Sequence, residues 1–215
     1  MTIKVTAQRP LGSGDEISVS IELENGSHRE TRKFTMLTSL YISLGIERGE
    51  IDNVRFDEIE RAEKISSAYK KGLFLLGYGA LSRKKLKYKL KTKGFDDEIS
   101  AEAVDMLYEH GYLDEKSDAL REAELCVSKL WGKKRIIAHI YSKGFSDEAV
   151  KEVSVYLEDI DFAENCRLLI ERSYKRQFLE ALDDKNALMK LFASLERMGY
   201  SFSEIKEASE EIASD

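Results

Sequence analysis

The chain is expected to be mainly α-helical: tandem three-helix repeats in an elongated, curved array, preceded by a small N-terminal β-hairpin or three-strand region. Three observations predict this. A helix-corner motif occurs three times along the chain, at Lys93-Gly94-Phe95, Lys143-Gly144-Phe145 and Met198-Gly199-Tyr200. From about Phe56 to the end, apolar residues keep a three-to-four spacing, as in Ile59, Ala62, Ile65, Tyr69, Leu73 and Leu76. Before that, short runs alternate apolar and polar residues. The expected divisions are a β-rich extension with a short helix over 1–55, then three-helix repeats over 56–111, 112–160 and 161–215.

The extension comes first. Ile3, Val5 and Ala7 alternate with polar neighbours, as do Ile17, Val19, Ile21 and Leu23. Gly12-Ser13-Gly14 punctuates the gap between these two strands. Asn25-Gly26 predicts a hairpin turn, since both residues tolerate positive φ. A third strand is expected over Arg29 to Thr35. A short helix follows, with Leu37, Leu40, Tyr41 and Leu44 on one face and Gly45 as its stop. The single proline, Pro10, lies in this region, so no proline interrupts the helices beyond it.

The repeat rests on more than the tripeptide. Leu86 and Leu90 correspond to Ile136 and Ile140, then to Leu191 and Leu195. After the glycine, Ala103 and Leu107 correspond to Val153 and Leu157, then to Ala208 and Ile212. The glycine suits the left-handed residue just past a helix end. Lys89, Lys91 and Lys93 favour the negative helix C-terminus before it. Asp96, Ser146 and Ser201 are placed to cap the next helix. Ser201 with Glu204 fits a capping box; Tyr200 with Ile205, and Phe145 with Val150, fit a hydrophobic staple. A preceding helix completes each repeat, over roughly Ile65 to Leu76, Ser117 to Leu130 and Phe162 to Tyr174.

Charge is distributed unevenly. The net charge is −6, yet Lys64 to Phe95 holds ten cations and no Asp or Glu, while the tail from Glu204 on is mainly acidic. Such asymmetry points to a polyanion or an acidic protein surface as partner. Within the basic stretch, Lys84, Lys87, Tyr88 and Lys91 fall on one outward helix face opposite Leu86 and Leu90. Cations flanking an aromatic suit phosphates and bases, or an acidic groove. Arg83 and Lys85 extend this cluster. Lys133, Lys134 and Arg135 repeat it at the equivalent place in the second repeat, where cations oppose the helix dipole. The set Arg83, Lys84, Lys85, Lys87, Tyr88, Lys91, Lys133, Lys134 and Arg135 is therefore the candidate partner- or DNA-binding surface. The plainer alternative for each cluster is a solvated helix face. Trp131, the only tryptophan, is read first as packing and second as a stacking platform.

Other chemistries find little support. His28, His110 and His139 lack zinc-site spacing, and Cys126 and Cys166 sit in apolar helical patterns, so no metal is expected. His110, just before Gly111, reads as a helix C-terminal residue. Gly72, Gly77 and Gly79 lack the Gly-Lys-Ser/Thr ending of a phosphate loop; Gly77 and Gly79 are expected to end the first repeat's opening helix. No acid–base pair or nucleophile elbow is marked, so neither enzyme nor cofactor is expected. The absence of a long apolar run or signal peptide, and two thiols without disulfide spacing, point to a cytoplasmic protein with no membrane contact. A repeat array buries its core without a dimer, so a monomer is expected.

Three further segments carry a family resemblance. Leu86 to Phe95 has a leucine-bearing helix ending at Lys-Gly-aromatic. Gly111-Tyr112-Leu113-Asp114-Glu115 matches a Gly-Tyr-Leu/Ile-Asp-Asp pattern. Trp131-Gly132-Lys133-Lys134-Arg135-Ile136 matches a Gly-x-x-Arg-Ile segment. In order and spacing these resemble the RecX family, and the N-terminal strands resemble the β-hairpin extension of some members. Asp118-Ala119 stands where Phe/Tyr-Ala is usual, Asp161-Phe162-Ala163 keeps that pattern, and Met198 replaces the corner lysine. The resemblance implies a non-catalytic regulator that binds the RecA filament, lies along its groove, and inhibits its ATPase and strand exchange. It leaves direct contact with single- or double-stranded DNA as a weaker possibility of the same surface. Two alternatives stand beside it: a nucleic-acid-binding repeat module acting without RecA, and an adaptor for an unrelated protein.

Overall fold

The computed structural model describes residues 2–182 and 184–214, in two compact units. One runs from the N-terminus to Ala80 and includes Lys85–Leu113; the other comprises Leu81–Lys84 and the residues from Asp114 onward.

The first unit opens with strands β1 (Thr2–Leu11), β2 (Glu16–Asn25) and β3 (His28–Leu37), helix α1 (Thr38–Leu44) and strand β4 (Gly49–Ile51). They form an antiparallel sheet in the order β3-β2-β1-β4. Alternation sends Ile3, Val5, Val19, Ile21, Phe34 and Met36 to one face, where Ile46, Ile59 and Ala62 cover them. The sequence expectation is corrected at three points. The register shifts between Val5 and Ala7, so Ala7 leaves the buried row. Asn25 pairs with His28, so the hairpin loop is Gly26-Ser27, with positive φ at Gly26 (62°) and none at Asn25. The short β4, pairing with Ile3 to Val5, was not anticipated.

Helix α2 (Asn53–Leu76) is longer than the segment assigned to the first repeat, because Asp52 caps it by accepting from the Arg55 N–H at 2.8 Å. Its side chains also cover the outer edge of β3. Glu63 accepts from the Thr35 N–H and Ser66 Oγ from the Leu37 N–H, both at 2.9 Å. An exposed strand edge is thereby closed over that stretch. Helices α3 (Arg83–Thr92) and α4 (Asp97–Glu109) complete the first repeat, and α2 packs on α4.

The second unit holds α5 (Glu115–Ser128), α6 (Lys133–Ser142) and α7 (Asp147–Tyr156), then α8 (Phe162–Leu169), a π-helical turn (Ile170–Tyr174), α9 (Lys175–Ala181), α10 (Lys185–Arg197) and α11 (Phe202–Ser214). Of the predicted repeat positions, Ile136, Ile140, Val153, Leu157, Leu191, Leu195 and Ala208 are buried in one apolar core, and Ile212 packs partly buried against it. The helix opening the third repeat runs past Tyr174 to Ala181, with the π turn inside it.

All three corner glycines are left-handed: Gly94 (φ 94°), Gly144 (φ 79°) and Gly199 (φ 99°). The Phe95 N–H bonds back to Leu90 O, and the Tyr200 N–H to Leu195 O, both at 3.3 Å, closing the orphan carbonyls of the helix end. The capping box at Ser201 is reciprocal: the Ser201 N–H reaches Glu204 at 2.6 Å and the Glu204 N–H reaches Ser201 Oγ at 3.3 Å. Ser146 caps α7. Asp96 stands at the start of α4 but its side chain makes no capping bond; Asp97 and Glu98 in the first turn supply the favourable negative charge instead.

Candidate partner-binding faces

Helix α3 exists because Leu86 and Leu90, both fully buried, anchor one side of it. Its first N–H groups need an acceptor, and the buried Glu115 provides one: the Arg83 N–H donates to Glu115 Oε1 at 2.7 Å. The Gly111-Tyr112-Leu113-Asp114-Glu115 segment therefore has structural duties. Gly111 is left-handed at the end of α4, Leu113 is buried, Asp114 caps α5 by accepting from the Ser117 N–H and hydroxyl, and Glu115 caps α3.

On the opposite side of α3, Tyr88 is 62% exposed and the Lys85 ammonium lies 5.9 Å from its ring centroid. Lys84, Lys85 and Lys91 are exposed, and Lys87 is half-buried. Lys84 and Gly144 both belong to the second unit, and the Lys84 stem lies beside that glycine. One residue changes the electrostatics that the sequence suggested. Asp97, at the start of α4, receives Lys87 on Oδ2 and Lys91 on Oδ1, each at 2.8 Å. Those two hydrogen bonds hold its carboxyl well down, at about 2. The acid-free run ends with the corner itself, and the corner folds this aspartate back onto the lysines. Half of the proposed Lys84, Lys87, Tyr88, Lys91 face is thus already ion-paired within the chain, although with solvent at hand.

The second basic cluster opens α6. Gly132 is buried against the third corner: its N–H donates to Met198 O at 2.9 Å, and the Lys134 N–H donates to Gly199 O at 3.1 Å. A Cβ on Gly132 would overlap the Gly199–Tyr200 backbone, and one on Gly199 would stand 2.5 Å from the Arg135 nitrogen. Two glycines are needed there because two backbones touch. Arg135 is drawn into this packing. Its guanidinium sits 3.8 Å from the centroid of the Trp131 ring, and Nη1 reaches Met198 Sδ at 2.8 Å. Trp131 is half-buried against the core, with its ring edge-on to His139 at 5.2 Å. Lys134 stays exposed and Lys133 half-buried. Of this cluster, Arg135 and Trp131 are drawn into packing, and the two lysines are not.

Two groups of side chains were missed in the sequence. Asp97 could have been found by asking which acid lies one turn beyond the Gly94 corner; Glu115, far along the chain from Arg83, could not. Glu122, Cys126 and His139 converge between α5 and α6, a grouping that only the facing of two helices reveals. Among the described residues, no helix is long and apolar enough to cross a membrane.

Comparison with known proteins identifies the architecture. Residues 68–107 match the family model for the first three-helix domain of RecX. A regulatory protein RecX of Chlorobaculum tepidum is 33% identical over 145 residues, covering 67% of this chain and 87% of the relative. One from Caldanaerobacter subterraneus is 30% identical over 146 residues, covering 65% of this chain and 72% of the relative. A crystal structure of a regulatory protein RecX superposes with a TM-score of 0.75 at 18% identity, over 95% of this chain and 99% of that one, which establishes the shared fold. With its three left-handed glycine corners and these relatives, the chain belongs to the RecX family of regulatory proteins.

Proposed function

We propose that the protein restrains the RecA recombinase: it binds the RecA–DNA filament and inhibits ATP hydrolysis, strand exchange and recombination. One observation carries this reading, membership of a family of regulatory proteins, and the first three-helix domain matches that family's model. The family is one of regulators, not enzymes.

Within this reading, two patches carry the contact, the start of α3 and the start of α6, each taken by itself. Arg83, Lys84 and Lys85 occupy in the first repeat the positions of Lys133, Lys134 and Arg135 in the second, counted back from each corner glycine. Lys87, Tyr88 and Lys91 extend the first set. Helix starts disfavour cations, so their recurrence at two repeats supports a binding role over simple solvation. The protein acts as a monomer in the cytoplasm, and any DNA contact is secondary to the protein contact. The test is DNA-dependent ATP hydrolysis by the cognate RecA with this protein titrated in. Inhibition that weakens when Lys84 and Lys134 are changed to Ala supports the reading; unaltered hydrolysis by folded protein removes it.

A second reading draws on the exposure of Tyr88 between lysines, which suits stacking on a single-stranded base. It requires direct binding to single-stranded DNA with affinity falling steeply as salt rises. Binding without any effect on RecA would favour it over the first.

A further inference from the structure

We propose that Glu122, Cys126 and His139 form a binding site for a divalent cation of the zinc class, tying α5 to α6. Glu122 and Cys126 stand one turn apart on α5, and His139 faces them from α6. A carboxylate oxygen, the thiol sulfur and an imidazole nitrogen all lie within 4.8 Å of one another. Tetrahedral zinc, with bonds of about 2.0–2.3 Å, holds its ligand atoms about 3.5 Å apart. Closing that difference takes side-chain movement of about 1 Å.

The donor set is one sulfur, one nitrogen and one oxygen, which suits zinc or cobalt over magnesium or calcium. Cys126 is 1% exposed and forms the floor. The side chains of Glu122 and His139 are each about one-quarter exposed, so a fourth position opens to solvent. Without metal the two ligands hold each other: His139 Nε2 lies 2.8 Å from Glu122 Oε1, a bond that the ion would replace, and the Trp131 ring stands edge-on to the imidazole. The fold does not ask for a histidine there. Counted five residues back from the corner glycine, the same position is Lys89 in the first repeat and Ser194 in the third.

A cation is already in attendance. The Lys143 ammonium lies 3.2 Å from the same Glu122 oxygen, on a side chain that is 46% exposed. The metal ion would displace it into solvent. Burial and the Glu122 charge keep the Cys126 thiol protonated. Binding therefore forms a metal–sulfur bond and releases the thiol proton to solvent; the thiolate and carboxylate together balance the ion's two charges. Affinity should rise with pH accordingly.

The test uses cobalt(II) as an optical probe on the reduced full chain. The expected result is a thiolate-to-cobalt charge-transfer band, saturating at one equivalent and displaced by zinc. Cys126→Ala should abolish it, and Cys166→Ala should leave it. His139→Ala and Glu122→Gln, with helicity checked by circular dichroism, should weaken binding by at least about tenfold, and Lys143→Met should strengthen it. These two ligand variants decide the matter if Cys126→Ala does not fold. A folded protein without the band, or a band of unchanged affinity in both ligand variants, would overturn the proposal.

Discussion

At the scale of single residues, the glycines at a corner and packed against one are needed for different reasons. Gly144 needs freedom of φ, and a Cβ there would meet only ordinary contacts with Ser82 and Lys84. Gly132 needs space, because the Gly199–Tyr200 backbone occupies the place of its Cβ. Gly144→Ala should cost about 1 kcal/mol, the ordinary penalty for a left-handed alanine. Gly132→Ala should cost about 3 kcal/mol or more, since backbone must move. Chemical denaturation of both variants measures the difference; equal costs would contradict the packing described.

Asp97 gives a second residue-scale prediction. Its folded-state carboxyl lies below its ordinary value of 3.8, at about 2, because Lys87 and Lys91 hold the charged form. The stabilisation it adds is therefore present above about pH 4 and is lost as the pH falls through about 2. Asp97→Asn should flatten the acid limb of stability between those values. The same variant releases two lysines, so binding of any polyanion through this face should tighten by a few-fold at low salt and less at high salt. Weaker binding in Asp97→Asn would mean that the pair orders the face instead of masking it.

At the scale of elements, the capping carboxylate of Glu115 supports the start of α3 from a different helix. Glu115→Ala should cost about 1–2 kcal/mol and should reduce hydrogen-exchange protection first in the opening turn of α3. Uniform loss of protection throughout the chain would argue against a local cap. This bond was hidden in the sequence because its partners are distant along the chain. The helices themselves were legible: Leu86, Leu90 and their counterparts fall at fixed distances from glycines that proved left-handed. The end of α5 was less so. Leu130 takes the left-handed conformation there (φ 56°), where glycine would be expected, and its carbonyl accepts the buried Tyr200 hydroxyl at 2.9 Å. Tertiary contacts, not local preference, hold that turn. The same reason explains Asn25, which the hairpin register keeps out of the loop.

At the scale of the whole molecule, the charge pattern was the least faithful guide. Ten cations without an acid looked like an open basic face, yet Asp97 engages two of them and Trp131 with Met198 engages Arg135. What a linear count cannot convey is which charges the corners bring together. Lys84 and Lys134, both exposed, are the lysines on which partner binding is proposed to depend. They lie at matched places in two repeats, so a partner with a repeating surface could be met twice, and the gain from two linked contacts exceeds either one.

DNA-dependent ATP hydrolysis by the cognate RecA, measured as this protein is titrated in, tests the central claim most directly. The account predicts inhibition that is complete well below one molecule per RecA and is relieved in a Lys84→Ala, Lys134→Ala double variant that keeps its helicity. Hydrolysis that continues unchanged at a one-to-one ratio, with the protein folded, would contradict it.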